Sequence, residues 1–265
     1  MSSPSITPAP PQWPYCAHGA GPTDPVGCRG IHVPNHTACL AHLTDLDRNA
    51  YLATLTTGTE IDHRGTLFTA QLLGALLDAL QDPTTQCAHF QSARFDEAQF
   101  FGVADFEGAR FSGHAYFGGA QFASEAWFGE AQFSGDVEFA KARFSGNAVF
   151  VTARFSAAAH LREARFSGMA GFTLARLSGH AGFGEAQFSE MAWFNGACFS
   201  DDAMFAMAQF SSNVWFSDAQ FEGAQTLDPL DSRTATCRRP TTCTCGRTGR
   251  TPRSARAGPA PACSC

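Results

Sequence analysis

The chain has 265 residues, with 18 Lys or Arg against 24 Asp or Glu, so its formal net charge is −6. The charge is uneven: residues 1–89 carry −4, residues 90–225 carry −7 and residues 226–265 carry +5. No apolar run approaches the roughly 18 residues of a membrane span, and the N-terminus lacks the basic and apolar regions of a signal peptide. Composition therefore argues against a membrane protein and a secreted one, and we expect a cytoplasmic location.

Residues 1–14 are rich in Pro and Ser and are predicted to be disordered. The next segment, residues 15–87, begins with a loop-rich stretch that concentrates Cys and His. In a reducing compartment we expect cysteines to serve as metal ligands or free thiols rather than disulfides. Three thiols and an imidazole are a ligand set that structural zinc prefers, and a segment too short for its own core gains from a metal. The predicted ligands are Cys16, Cys28, Cys39 and His42.

Two alternatives to this zinc site stay open at the level of sequence. The cysteines could be ordinary buried thiols beside a helix start, because this segment has no Cys-x2-Cys pair of the kind common in zinc sites. Neighbouring histidines also compete as ligands. These are His18, His32 and His36.

Two helices are predicted to follow. Residues 44–47 have the pattern of a capping box, and apolar residues continue at helical spacing until Gly58. The second helix covers about residues 69–80, with a Leu-rich face, and Pro83 ends it. We expect this helix to cover the open end of the domain that comes next.

The linker between the helices contains Asp62, His63 and Arg64, which together could suggest an active site. We interpret them as helix-flanking contacts and solvated charge, so no catalytic residue is predicted.

From residue 88 to residue 225 the chain follows a repeat. Phe fills 22 of the 24 centres between Phe95 and Phe221, Leu161 and Leu177 fill the other two, and the spacing alternates between five and six residues. Ala lies two residues before every centre except at Val137 and Val214. Neither a helix nor a long strand has this period. Short extended sides joined by corners do, and such coils stack into an all-β solenoid. Four sides make a coil of 22 residues, so about six coils are expected.

Ser follows the centre in nine of the eleven longer corners of the repeat and Gly comes next in six of the eleven, as in Ser112-Gly113. We expect glycine to supply positive φ there, since tight corners often need it.

This Ala-x-Phe pattern resembles the pentapeptide-repeat family. The resemblance implies a right-handed quadrilateral parallel β-helix, and the best-known role in the wider family is DNA mimicry against DNA gyrase. Together with residues 39–43 (Cys-Leu-Ala-His-Leu) and 64–66 (Arg-Gly-Thr), the repeats resemble a group of actinobacterial pentapeptide-repeat proteins. That second resemblance supports the domain layout.

A 22-residue coil places every fourth repeat unit on one face. Three Trp then share a face, and two Arg share another with several Gln. Exposed aromatic residues often mark a contact surface, whereas the alternatives are packing between coils and simple solvation. The candidate partner-binding residues are Trp127, Trp193, Trp215, Arg143 and Arg165.

Charge separates the functional hypotheses. Residues 141–176 contain six basic residues and a single acidic one, Glu163. This belt interrupts the continuous negative surface that a DNA mimic needs to match duplex charge. We therefore expect a non-enzymatic protein-interaction scaffold with an unknown protein partner, and neither direct nucleic-acid binding nor membrane association. The alternative is a DNA mimic that acts on gyrase. The basic tail, residues 226–265, is predicted to be disordered.

Overall fold

The computed structural model describes residues 9–226 and 235–236. The predictions of disorder for residues 1–8 and for most of residues 226–265 lie outside the described residues. Of the helices in the described part, none is long and apolar enough to cross a bilayer.

The repeat forms the predicted parallel β-solenoid of about six coils. Each strand pairs with the strand 22 residues away, as in the partnerships of Arg143 with Arg165 and of Ala148 with Ala170. Four columns of short strands result, one for each side of the coil. This register confirms the four-sided coil, whereas the right-handed sense stays a prediction.

Each column forms one face. The first face contains Thr59–Asp62, the second half of His89–Arg94, Ala115–Tyr116, Val137–Glu138, Ala159–His160, Ala181–Gly182, Ala203–Met204 and Gln225–Thr226. The second, which we call the Gln/Arg face, contains Leu67–Phe68, Gln99–Phe100, Gln121–Phe122, Arg143–Phe144, Arg165–Phe166, Gln187–Phe188 and Gln209–Phe210. The third, the Trp face, contains Ala104–Asp105, Ala126–Trp127, Ala148–Val149, Ala170–Gly171, Ala192–Trp193, Val214–Trp215 and Ala235–Thr236. The fourth contains the first half of His89–Arg94, Arg110–Phe111, Gln132–Phe133, Arg154–Phe155, Arg176–Leu177, Cys198–Phe199 and Gln220–Phe221.

Inward-facing Phe rings fill the solenoid. Phe144, for example, stacks on Phe122 at 4.7 Å and on Phe166 at 4.8 Å, with ring planes within 3° of parallel. The two Leu centres occupy the same inward position and are 1% exposed. The Ala two residues before each centre points inward too, because residues i and i−2 of a strand share a side. The inward side chains of each coil are thus covered by those of the neighbouring coils.

The corners differ from the sequence-based expectation. Positive φ occurs at the second residue of the shorter corners, as at Glu97 (55°), Lys141 (59°) and Thr152 (57°). It does not occur at the Ser-Gly corners, so that prediction was wrong. Glycine is needed there for space: a Cβ on Gly135 would lie 2.6 Å from the carbonyl oxygen of Gly113 in the coil below.

The N-terminal part contains a short 3-10 helix, Leu40–His42, and two α-helices, α1 (Asp45–Leu52) and α2 (Ala70–Ala79). The predicted cap of α1 is confirmed, since Thr44 Oγ1 accepts a hydrogen bond from the Asp47 amide. The helix ends well before Gly58, however, in a turn where Thr54 Oγ1 donates to the Tyr51 carbonyl.

Strand pairing begins before the repeat. Thr59–Asp62 and Leu67–Phe68 add two sides of an incomplete coil, in which Phe68 stacks on Phe100 at 5.2 Å. Helix α2 then packs against the strand Ala104–Asp105, where a third side would lie. Its Leu76 and the C-cap residue that follows the helix, Leu80, are fully buried in the same apolar cluster as the Phe rings. The predicted helical cover at the N-terminal end of the rod is therefore present.

We expect Phe144→Ala to lower the free energy of unfolding by about 3–5 kcal/mol, because it leaves a cavity between two stacked rings. Phe101→Ala provides a matched control, since Phe101 is 59% exposed and its loss should change stability by less than about 0.5 kcal/mol. Urea unfolding followed by circular dichroism compares the two. Equal losses would contradict the ring ladder as the source of stability.

Candidate metal centre and partner surface

Two local structures bring the predicted ligands together. An antiparallel bridge joins Tyr15 to Ile31, and the Cys16 amide donates to the Gly30 carbonyl at 2.9 Å. This pairing places Cys16 beside Cys28. The 3-10 helix begins immediately after Cys39, so that Cys39 and His42, three residues apart, face the same side.

The four ligand atoms form a compact group in which all pairs lie within 4.8 Å. The Sγ atoms of Cys28 and Cys39 are 3.7 Å apart, and His42 Nδ1 lies 3.5 Å from Cys16 Sγ and 3.4 Å from Cys39 Sγ. A tetrahedral zinc with Zn–S near 2.3 Å and Zn–N near 2.0 Å sets ligand separations of about 3.8 Å and 3.6 Å. This group could therefore hold a zinc ion.

The competing histidines do not join this group. His32 Nε2 lies 2.8 Å from the Tyr15 carbonyl oxygen, and His18 stacks its ring on His42 at 4.1 Å. The stacked His18 restricts the orientation of the His42 ring. The structure thus separates the ligand set from its alternatives, which the sequence left open.

The thiols of the two buried cysteines, Cys28 and Cys39, form a hydrogen-bonded pair. The contact with the Cys39 thiol lowers the pKa of Cys28 to about 5. The same contact, together with burial, raises the pKa of Cys39. The hydrogen bond between the two thiols therefore favours loss of one proton and opposes loss of the second, and a bound cation would displace the remaining proton.

Gly30 is a residue of the centre that sequence reasoning missed. Its amide donates to Cys28 Sγ at 3.4 Å, and hydrogen bonds of this kind orient metal ligands. A Cβ on Gly30 would lie 2.6 Å from Cys39 Cβ and 2.7 Å from its Sγ. In the sequence, the feature that points to Gly30 is its position two residues after the candidate ligand Cys28.

The loop that contains the Cys and His group is attached to the start of the rod. The Ile31 amide donates to the Arg64 carbonyl at 2.8 Å, and a Cβ on Gly65 would lie 2.5 Å from the Arg29 carbonyl oxygen. Gly65 itself adopts positive φ. Residues 29–31 and 64–65 are therefore in backbone contact, and the position of the cysteine loop depends on the incomplete first coil.

The linker residues Asp62, His63 and Arg64 do not come together in one site. Asp62 and Arg64 pair with each other at 2.7 Å, and the Arg64 guanidinium lies over the Trp13 ring. His63 points the opposite way, is fully buried and has its Nε2 3.3 Å from the Tyr51 hydroxyl. Burial lowers the pKa of His63 to about 4 and raises the pKa of Tyr51 to about 12. Both side chains are neutral at pH 7.

The three candidate Trp lie in one column, on the Trp face. The rings of Trp193 and Trp215 are parallel within 4° and 6.0 Å apart, and both are partly exposed. Trp127 is 36% exposed, but Val149 and Gly171 separate it from the other two along the column. Only two of the three predicted Trp therefore form a continuous patch.

The two candidate Arg are strand neighbours on the Gln/Arg face. Arg143 pairs in register with Arg165, and both side chains are exposed. This face meets the Trp face along corners that include the partly buried Met169 and Met191. One partner surface can therefore reach the Arg pair and the stacked Trp.

The prediction that the cysteines are metal ligands or free thiols rather than disulfides is wrong for one cysteine of the rod. Cys198, on the fourth face, is disulfide-bonded, whereas the cysteines of the N-terminal group are free thiols.

Comparison with protein families identifies the repeat. The family model for Pentapeptide repeats (9 copies) matches residues 86–132 and 128–175. These residues share the strand register and Phe stacking described above. Residues 86–175 of the rod therefore match the pentapeptide-repeat family. The same 22-residue pairing continues to residue 226, beyond the matched residues. Neither the curated proteins nor the solved structures gave a match.

The junction between the cysteine loop and the rod predicts a pH dependence. The unfolded chain binds a proton on His63 below about pH 6.5, whereas the folded chain does so only below about 4. The free energy of unfolding should therefore fall as the pH is lowered from about 6.5 to 4, by up to about 3 kcal/mol.

Urea unfolding at several pH values tests this dependence. His63→Gln should remove most of the slope in that pH window, because it removes the titrating group. His160→Gln, at a partly exposed position on the rod, should leave the slope intact. An unchanged slope in His63→Gln would contradict the assignment.

Proposed function

We propose that Cys16, Cys28, Cys39 and His42 bind one structural zinc ion. The single observation behind this proposal is that all four ligand atoms lie within 4.8 Å of one another, with three of the six separations, 3.4–3.7 Å, matching the edges of a zinc tetrahedron. Four protein ligands complete the coordination, which is typical of structural rather than catalytic sites. The ion would hold the cysteine loop against the first coil. The site forms only while its three thiols stay reduced, as they are in the structure.

Metal analysis tests the zinc site. Protein purified without chelator should contain about one zinc per chain, and Co²⁺ in its place should give the absorption of a tetrahedral thiolate complex. Cys39→Ser and Gly30→Ala should each lose the metal, the first by removing a ligand and the second by displacing Cys39. Cys87→Ser is the matched control, because Cys87 is a free thiol outside the group. Full metal content in Cys39→Ser would refute the site.

We infer that the rod is a non-enzymatic scaffold that binds a partner protein through its Trp face. The observation that supports this inference is the stacked, partly exposed pair Trp193 and Trp215. Their strands are held on both sides by neighbouring coils, so that ordering them on binding costs little entropy. Trp is enriched among the residues that dominate binding energy. Large aromatic rings at solvent-facing positions are not needed by the core, which the inward Phe already fill.

The charge pattern favours a scaffold over a DNA mimic. The exposed Arg143, Arg154, Arg165 and Arg176 lie on two opposite faces in the middle of the rod. A protein groove that accepts DNA is positively charged, so these residues would repel it. No acidic stripe therefore runs unbroken along either of these faces.

Trp193→Ala should weaken the partner complex by about 2 kcal/mol or more, which is about 30-fold in Kd. Its fold should persist, because the ring lies outside the core. Phe101→Ala removes another exposed aromatic ring and serves as the control. Proteins captured by the wild type are identified, and their affinities for the three forms are measured by calorimetry.

Two outcomes would contradict the scaffold proposal. Capture of the same proteins at the same affinity by Trp193→Ala would remove the Trp face from consideration. Inhibition of DNA gyrase supercoiling, or protection of gyrase from drugs, at low micromolar protein would favour the DNA-mimic alternative instead.

A further inference from the structure

Arg143 and Arg165 form an uncompensated charged pair. They occupy adjacent strands in direct register, so their Cα atoms are about 4.8 Å apart. Like charges at such positions destabilise a sheet. Within the described residues, neither guanidinium forms an ion pair or a side-chain hydrogen bond. The sequence thus maintains a local positive charge that the fold does not require.

The pair lies in a groove of about 460 Å³. Arg143, Arg165 and Gln187 line it from the Gln/Arg face, and Lys141, Glu163 and Glu185 line it from the adjacent corner. The corner residues are committed to other partners. Glu185 accepts from Arg162 at 2.6 Å, and Glu163 lies 3.6 Å from Arg162 and 4.0 Å from Lys141. These ion pairs leave the two guanidinium groups available to a ligand.

The opposite side of the rod offers a comparison. Arg154 and Arg176 are also exposed neighbours in register. The equivalent corner, which precedes Arg154 and Arg176, contains Val151 and Thr152 in one coil and Thr173 and Leu174 in the next. The charge is therefore the same on both faces, but only the pair Arg143 and Arg165 stands beside a wall of long polar side chains.

We propose that this groove binds a carboxylate side chain presented by an extended segment of a partner protein. Arg guanidinium groups bind carboxylates through paired, charge-assisted hydrogen bonds. The groove crosses four coils, from the level of Arg143 to that of Gln209, which is about 14 Å at the strand spacing. An extended peptide of four or five residues covers this distance. The amides of Gln187 and Gln209 can donate to and accept from its main chain.

The surrounding charge selects against nucleic acid. A polyanionic backbone along the groove would meet Glu163 and Glu185, and residues 90–225 carry net −7. A peptide places its negative charge at one point, over the Arg pair, and neutral groups elsewhere. The proposal rests on the scaffold function inferred above and specifies the chemistry of its partner, because the groove opens on the Gln/Arg face, which is adjacent to the Trp face.

A peptide-binding experiment tests the groove without the natural partner. The probe is a short fluorescent Ser/Gly peptide with two Glu, and its counterpart has Gln in their place. Fluorescence anisotropy should show at least about tenfold tighter binding of the Glu peptide, as expected for hydrogen bonds between charged groups. The double variant R143Q/R165Q should lose at least about tenfold in affinity for it. The matched control R154Q/R176Q should stay within about twofold of the wild type.

Three results would overturn the proposal. They are equal binding of the two peptides, equal loss in the two double variants, and tighter binding of a single-stranded oligonucleotide that depends on Arg143 and Arg165. All four substituted side chains are exposed, so thermal unfolding should confirm intact folds. A negative result in the peptide-binding experiment would not change the interpretation of Trp193→Ala in the partner assay, since Trp193 does not line the groove. Failure of Trp193→Ala in the partner assay would likewise leave the peptide result standing.

Discussion

The stacking of inward Phe rings from one coil to the next is the interaction on which the structure depends. Each ring presents two broad apolar surfaces, and a single coil can bury neither of them. Phe144 is covered only because Phe122 lies on one side of it and Phe166 on the other. Stability is therefore a property of neighbouring coils rather than of any one coil. Small inward residues follow from the same constraint, because four rings meeting at the axis leave room for little more than a methyl group.

This constraint leaves the outward residues without a packing role. A residue between an inward Ala and an inward Phe can be Gln, Arg or Trp without changing the core. The faces can then carry features that would be unfavourable elsewhere, such as adjacent unpaired guanidinium groups or stacked indoles. A stable core tolerates their cost, which for exposed groups amounts to a few tenths of a kcal/mol up to about 1 kcal/mol. Features of this kind therefore suggest binding more strongly here than on a less regular surface.

The end of the ring ladder explains the N-terminal architecture. The ladder reaches Phe68 and would stop there with exposed ring surface. Helix α2 packs against the strand Leu67–Phe68, with its Leu76 buried in the same apolar cluster, and the cysteine loop contacts residues 64–65. The junction also buries polar atoms that lack partners in the described residues, among them His63 Nδ1 and Thr66 Oγ1. Such atoms make the junction sensitive to protonation, and a metal that fixes the loop would help to offset that cost.

The sequence by itself determined the solenoid, its 22-residue coil and the sharing of a face by every fourth unit, because these follow from the spacing of one residue type. It also indicated four candidate ligands, since three Cys and several His are concentrated in the loop-rich segment that begins at residue 15, but it left other histidines as alternatives. Tertiary structure alone decided that these ligands meet while His18 and His32 stand aside, because the meeting depends on backbone pairing between distant loops. It decided too that positive φ falls in the short corners, as at Glu97 and Lys141, rather than in the Ser-Gly corners, whose glycines allow the close approach of stacked corners. The ion pairs of Arg162 that leave Arg143 and Arg165 uncompensated likewise depend on side-chain geometry across coils, which no linear spacing encodes.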